Sequence, residues 1–309
     1  MRIGVLLLPL YVVLALALGF IDFRIRPHIA RGYEAYPQAV VQNTEEPPGK
    51  YRVLAPYVFE GFVHTTALPR DVAWVIFRFA CLLGGLYASH WLFSAWFGTT
   101  GAVLGSTLNA LLLLLTFTNS WPHPDHLVEW AVMTAGVAAL AHGRLAVWAA
   151  LLMVAALNRE TSFVLWLLAA AALPWTRRHL VWLAGTGLAW ATVYGGLRLW
   201  RGVALYDPWQ AGRNLEFLGL LPEGYDPYYR FYAWFGVALV APAVWATWRA
   251  WPVLPRLVRA GAVIVVPVFL TIGFLFSSII ETRIFTPLLP LVTAVVMFQV
   301  TAADTTSKV

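Results

Sequence analysis

Long apolar runs alternate with short polar clusters along the whole chain. Runs such as Val5-Leu6-Leu7-Leu8 and Leu111 to Leu115 do not alternate residue by residue, as lipid-facing strands do over segments of about ten residues. They predict helices, which satisfy their own backbone in a lipid solvent. A crossing needs about 20 apolar residues, fewer where neighbouring helices shelter it. About ten segments qualify: 3–21, 72–97, 101–118, 127–141, 145–157, 161–174, 181–199, 231–248, 260–279 and 285–300. The fold class expected is all-α, a polytopic integral membrane protein of about ten transmembrane or partly inserted helices. The three segments within 127–174 are short and are expected as broken helices packed inside protein. The chain 1–309 reads as a single transmembrane domain, with a first outer loop at 22–71 and a second large one at 200–230.

Composition supports this. Charged residues make up 12% of the chain, about half the usual share of roughly 25%, and mean hydropathy is +0.70. The pI near 9.6 does not point to nucleic acid, because no contiguous basic stripe follows a phosphate backbone. The single cysteine, Cys81, excludes an intrachain disulfide framework and a cysteine metal site. Sixteen Trp and twelve Tyr suit a protein with two membrane interfaces. Arg2 and Ala15-Leu16-Ala17 resemble a signal peptide and its cleavage site. The apolar run continues to Ile21, which favours a retained anchor. No internal repeat points to inverted transporter halves.

Basic residues in short loops orient the chain. With a cytoplasmic N-terminus, the inner segments hold Arg2, Arg144, Arg177, Arg178, Arg249, Arg256, Arg259 and Lys308, with Asp304 the one acid. Nearly every other acid then lies outside, and both termini are cytoplasmic. The expected location is the inner (plasma) membrane.

Five charged clusters share the outer face. Asp22-Phe23-Arg24 opens the first loop, which continues through Glu45-Glu46 and Tyr51-Arg52. His123-Pro124-Asp125-His126, Arg159-Glu160, Tyr206-Asp207-Pro208 with Tyr225-Asp226-Pro227, and Glu281-Thr282-Arg283 complete the set. Each has a plain alternative. Arg159-Glu160 and Glu281/Arg283 fit helix-end ion pairs, the histidines fit interfacial or core positions, and Tyr-Asp-Pro forms turns. Together they say more. Carboxylates deprotonate hydroxyls or hold divalent metals, and arginine forks bind phosphate oxygens. A phosphate-bearing substrate with an apolar tail fits that face. Within the spans, Arg78, His90 and Asn109 stand out as polar, and Arg78 is close enough to a span end to snorkel.

The layout resembles the GT-C superfamily of membrane glycosyltransferases, which use polyprenyl-phosphate-linked sugars. Asp22 stands where members carry an acid just after the first span, and Asp125 in the Pro122-to-His126 stretch stands where many carry a second. YRVLAPYV, LNRETSFVLW and ETRIFTPLLPLV look like stretches of small bacterial GT-C-like proteins. The first loop lacks the Asp-Glu pair of the mannosyltransferase branch, and the second motif holds one acid. The resemblance implies Asp22 as general base and Asp125, with His123 or His126, orienting the acceptor or holding a divalent metal. It implies Arg159 and Arg283 on the leaving phosphate, Glu160 and Glu281 behind them, and Arg52 as a further phosphate contact. The expected pocket opens outward between the first loop and 200–230. Alternatives are a lipid or polysaccharide transporter or flippase, and a non-catalytic partner in polysaccharide assembly.

Overall fold

A computed structural model describes residues 2–25, 29–117, 125–204, 209–221, 227–279 and 282–306. No strand occurs among them. The order opens with α1 (Arg2–Ile25), α2 (Ile29–Val41), α3 (Leu54–Thr66), α4 (Arg70–Ser94) and α5 (Thr99–Leu113). Three shorter helices follow: α6 (Asp125–Ala141), α7 (Leu145–Asn158) and α8 (Phe163–Ala172). Then come α9 (Arg177–Arg201), the short α10 (Ala211–Phe217) and α11 (Pro227–Ala250). α12 (Arg256–Ala260) runs through a π-helical turn into α13 (Val266–Phe276), and α14 (Leu289–Thr306) ends the series.

Among the described residues, five helical stretches are long and apolar enough to cross a membrane: Leu7–Arg24, Arg70–Ser94, Thr99–Thr116, Arg177–Arg201 and Arg256–Phe276. Their outward faces carry Leu8, Val13, Phe20, Leu188 and Leu199, all exposed. In water such a surface would aggregate; against lipid it is a solvated surface. α7 and α8, of 14 and 10 residues, span about 21 and 15 Å at 1.5 Å per residue. That is short of a hydrocarbon core of about 30 Å.

α4 and α6 form the centre, with α1, α5 and α7 packed around them. The approach of α4 to α6 depends on Gly85, because the Trp130 ring occupies the place its Cβ would take. Asn109 Nδ2 donates to Ser89 Oγ at 2.7 Å and Thr293 Oγ1 donates to Asn109 Oδ1 at 3.1 Å, tying α4, α5 and α14. Asn109 is thus a core residue hydrogen-bonded through both ends of its amide.

Short turns reverse the chain and define two ends of the bundle. The turn between α6 and α7 uses Gly143 at φ +68°, left-handed backbone that glycine adopts without strain. At that end His142 Nε2 pairs with Trp91 O at 2.8 Å, and Arg256 Nη2 donates to Leu173 O at 3.2 Å. Arg144, Arg177, Arg178, Arg249 and Arg259 gather there. The opposite end holds Asp22, Arg52, Asp125, Arg159 and Arg201.

Two expectations need correction. Residues 22–71, expected as the first outer loop, are not without regular structure: α2 and α3 occupy much of the stretch. Tyr36 and Val40 of α2 bury against Val53 and Leu197, and Ala55 and Phe59 of α3 bury against Trp74 and Phe77. Apolar residues spaced one turn apart made these helices, and the polar residues between them disguised it. Arg78 does not snorkel either. It is 2% exposed and ion-paired with the equally buried Asp22, because Phe23 and Trp74 close over it.

Candidate functional site

Asp125 and Glu129 are one turn apart on α6, so both carboxylates lie on one helix face. α7 ends at Asn158, and Arg159 adopts extended backbone (φ −155°) before the 3-10 turn Glu160–Ser162. That break turns Arg159 toward α6. Its Nη1 donates to Glu129 Oε2 at 2.7 Å and its Nε lies 3.6 Å from Asp125 Oδ2. Thr161 Oγ1 donates to the other Glu129 oxygen, and Asn158 Nδ2 donates to the Asp125 carbonyl at 2.8 Å.

Arg52 enters from the segment between α2 and α3, just past the 3-10 turn Gly49–Tyr51. Its Nη1 is 3.3 Å from Asp125 Oδ2 and its Nη2 is 2.8 Å from Glu160 Oε1. Two guanidiniums therefore converge on one oxygen of Asp125, and three carboxylates surround them. Asp125 is fully buried, and Glu129 and Arg159 are nearly so. Glu160, with a side chain 35% exposed, is the accessible member.

The network tunes its own charges. Burial opposes ionisation of Glu160, but Arg52 and Arg159 beside it prevail and bring its pKa down to about 2. Burial likewise opposes the charge on Arg52, and Glu160 and Asp125 more than offset it, raising its pKa well above the ordinary guanidinium value. The buried phenol of Tyr36, beside Asp125, is pushed up by burial and then by that carboxylate.

The end of α9 braces Arg52. Arg201 donates from Nε to Lys50 O at 3.2 Å, from Nη1 to Tyr57 Oη at 3.3 Å, and from Nη2 to Val40 O. Tyr51 Oη donates to Gly202 O at 3.0 Å and accepts from Ala204 N at 3.1 Å. Within 200–230, Asn214 of α10 donates to Phe274 O and Ser277 O at 2.6 and 2.7 Å, which docks that segment on the end of α13.

The structure thus joins Arg52, Asp125, Arg159 and Glu160. It places Asp22 in its own pair with Arg78 on α1 and α4. His126 is buried with its ring edge toward Phe117, centroids 6.0 Å apart. Arg283 is buried in the turn Thr282–Leu288, where its carbonyl accepts from Thr286 Oγ1 at 2.6 Å. His123 and Glu281 lie outside the described residues. Glu160 was expected behind Arg159; its hydrogen-bonded partner is Arg52, because the extended backbone at Arg159 points the two neighbours apart. Glu129 was missed. An acid inside the apolar segment 127–141, one turn after Asp125, was the signal that marked it.

No group of three or more His, Cys, Asp or Glu is placed to hold a metal among the described residues. The two guanidiniums on Asp125 compete with any cation there. A separate apolar groove of about 1310 Å³ runs between α11, α13 and α14. Leu218 of the 200–230 segment lines it, but no residue of 22–71 and none of the charged residues above does. This groove is therefore distinct from the outward pocket expected between 22–71 and 200–230. No protein-family model, curated protein or solved structure matches the chain.

Proposed function

We propose that this chain is a membrane glycosyltransferase of the GT-C kind, moving a sugar from a polyprenyl-phosphate donor to an acceptor at the outer face of the plasma membrane. The observation that carries this reading is the ionic network of Arg52, Asp125, Glu129, Arg159 and Glu160, buried except at Glu160 and assembled from three separate stretches of chain. A charge in the hydrocarbon region costs about 2.5–3.5 kcal/mol or more. Burying charge also adds little net stability over apolar packing. In a chain with half the usual charge, such a cluster is better explained by chemistry than by folding.

In this reading α1, α4 to α9, α11, α12 with α13, and α14 cross or partly enter the membrane, with α7 and α8 sheltered by their neighbours and both termini cytoplasmic. The acceptor hydroxyl attacks the anomeric carbon. Asp22, with Arg78 as its counter-charge, takes the hydroxyl proton. The carbon–oxygen bond to phosphate breaks, and polyprenyl phosphate leaves with the bonding electrons. Asp125, with His123 or His126, orients the acceptor. Arg52 and Arg159 stabilise the charge that develops on the leaving phosphate, held in place by Glu160 and Glu129. Arg283 is a further candidate for the leaving phosphate, as an arginine fork suits phosphate oxygens.

The test is direct. Purified protein is incubated with radiolabelled polyprenyl-phosphate hexoses and pentoses, and donor hydrolysis and transfer are scored. Release of label above a heat-inactivated control supports the reading; folded protein inert toward every donor removes it.

A further inference from the structure

Every arginine in the ionic network is already engaged, and Arg70, Arg78 and Arg201 also have acceptors. Arg198, in the last turn of α9, differs. Its guanidinium lies 3.6 Å over the Tyr194 ring and 4.6 Å from the Tyr51 centroid. Among the described residues its side chain has no hydrogen-bond or ion-pair partner. It is half-buried, so it is neither sealed in the core nor loose in solvent. A guanidinium carries five N–H donors around the edge of a planar fork. Contact with aromatic rings uses none of those donors.

The position ties this edge to the network. Tyr51 adjoins Arg52. On α9, Tyr194 stacks on Trp190 with centroids 4.9 Å apart, and the Trp190 indole donates to Ser162 Oγ at 2.8 Å, two residues past Glu160. α9 therefore touches both segments, through Arg198 on Tyr51 beside Arg52 and through Trp190 on Ser162 near Glu160. An aromatic clamp fixes its orientation, so little conformational freedom remains to be lost on binding.

We propose that Arg198 binds a lipid-borne phosphate at the edge of the ionic network. Arg52 and Arg159 are held by carboxylates in the resting protein, so Arg198 supplies the open phosphate-binding fork. This deepens the glycosyltransferase reading, in which that phosphate belongs to the donor. Binding nevertheless requires no transfer and is measured separately.

The experiment is native mass spectrometry of the full-length protein in detergent, with three probes: a polyprenyl phosphate, phosphatidylglycerol and inorganic pyrophosphate. Wild type should retain at least one, and Arg198→Ala should weaken that binding by about tenfold to a hundredfold, the range for a charge-assisted contact. Arg198→Lys keeps the charge without the fork and should fall between. Arg249→Ala, an exposed arginine at the opposite end, serves as control. Thermal unfolding checks folding, and Arg198→Gln replaces the alanine variant if that one fails to fold. Loss of polyprenyl phosphate supports both the site and the donor reading. Loss of phosphatidylglycerol alone supports the site and assigns it to bulk lipid, against the donor reading. Equal retention of every probe by wild type and Arg198→Ala, or no retention by wild type, overturns the proposal.

Discussion

Arg159 Nη1 donates to Glu129 Oε2 at 2.7 Å, and the two side chains are 4% and 2% exposed. The partner of Arg159 is thus an acid thirty residues earlier on α6, not its neighbour Glu160. Removing one member strands a buried charge, which costs about 3–5 kcal/mol. A double-mutant cycle on Arg159→Ala and Glu129→Ala should give a coupling of about 1–3 kcal/mol from unfolding in detergent. The cycle on Arg159 and Glu160 should give much less. Equal couplings would contradict the geometry.

The pair of Asp22 with Arg78 separates two roles. Asp22→Asn still accepts from Arg78, so the fold should survive. If Asp22 is the general base, transfer should fall by about 10²–10⁴-fold while donor binding persists. Arg78→Leu leaves Asp22 buried without counter-charge and should lower the unfolding temperature more than Asp22→Asn does. Undiminished activity in Asp22→Asn would pass the base role to Asp125.

Glu160 makes acid stability measurable. Its folded pKa, about 2, lies below its ordinary 4.5, so its ionised pair with Arg52 contributes stability in full above about pH 4.5. That contribution fades as pH falls toward 2. The melting-temperature difference between wild type and Glu160→Gln should therefore be constant above pH 5 and shrink between about 4.5 and 2. A difference that grows on acidification would show that Glu160 is not paired as described.

Arg201 should matter to Arg52 without touching the network. Arg201→Ala removes its donors to Lys50 O, Val40 O and Tyr57 Oη. At about 1.5–3 kcal/mol for a hydrogen bond to a charged group, the variant should unfold earlier. It should also be cut by protease faster between 42 and 53. Arg201→Lys should not restore it, since one ammonium cannot reproduce the fork.

Reporter fusions after residues 143, 178 and 255 should report cytoplasm, and fusions after 45 and 215 should report the outside. An outside signal at 178 would place Arg159 and Asp125 on the wrong face for the proposed chemistry.

Helices suited to a lipid setting were legible in the chain alone. Runs of leucine, alanine and valine too long for a soluble core require helices in lipid, and that demand is local, so composition and periodicity reveal it. The sequence also placed Arg52, Asp125, Arg159 and Glu160 among the chemically interesting positions, because charge is scarce here and each sits between apolar runs. Tertiary structure alone decided the partners. Ion pairs form across helices, and nothing near Glu129 in the chain announces Arg159, just as nothing near Asp22 announces Arg78. The helices α2 and α3 were hidden because each buries only a narrow face, at Tyr36 and Val40 or at Ala55 and Phe59, against its neighbours. Arg198 shows the same limit. Its neighbours in sequence are ordinary for a helix end, and only the packing of α9 against Tyr51 brings its guanidinium onto a second ring.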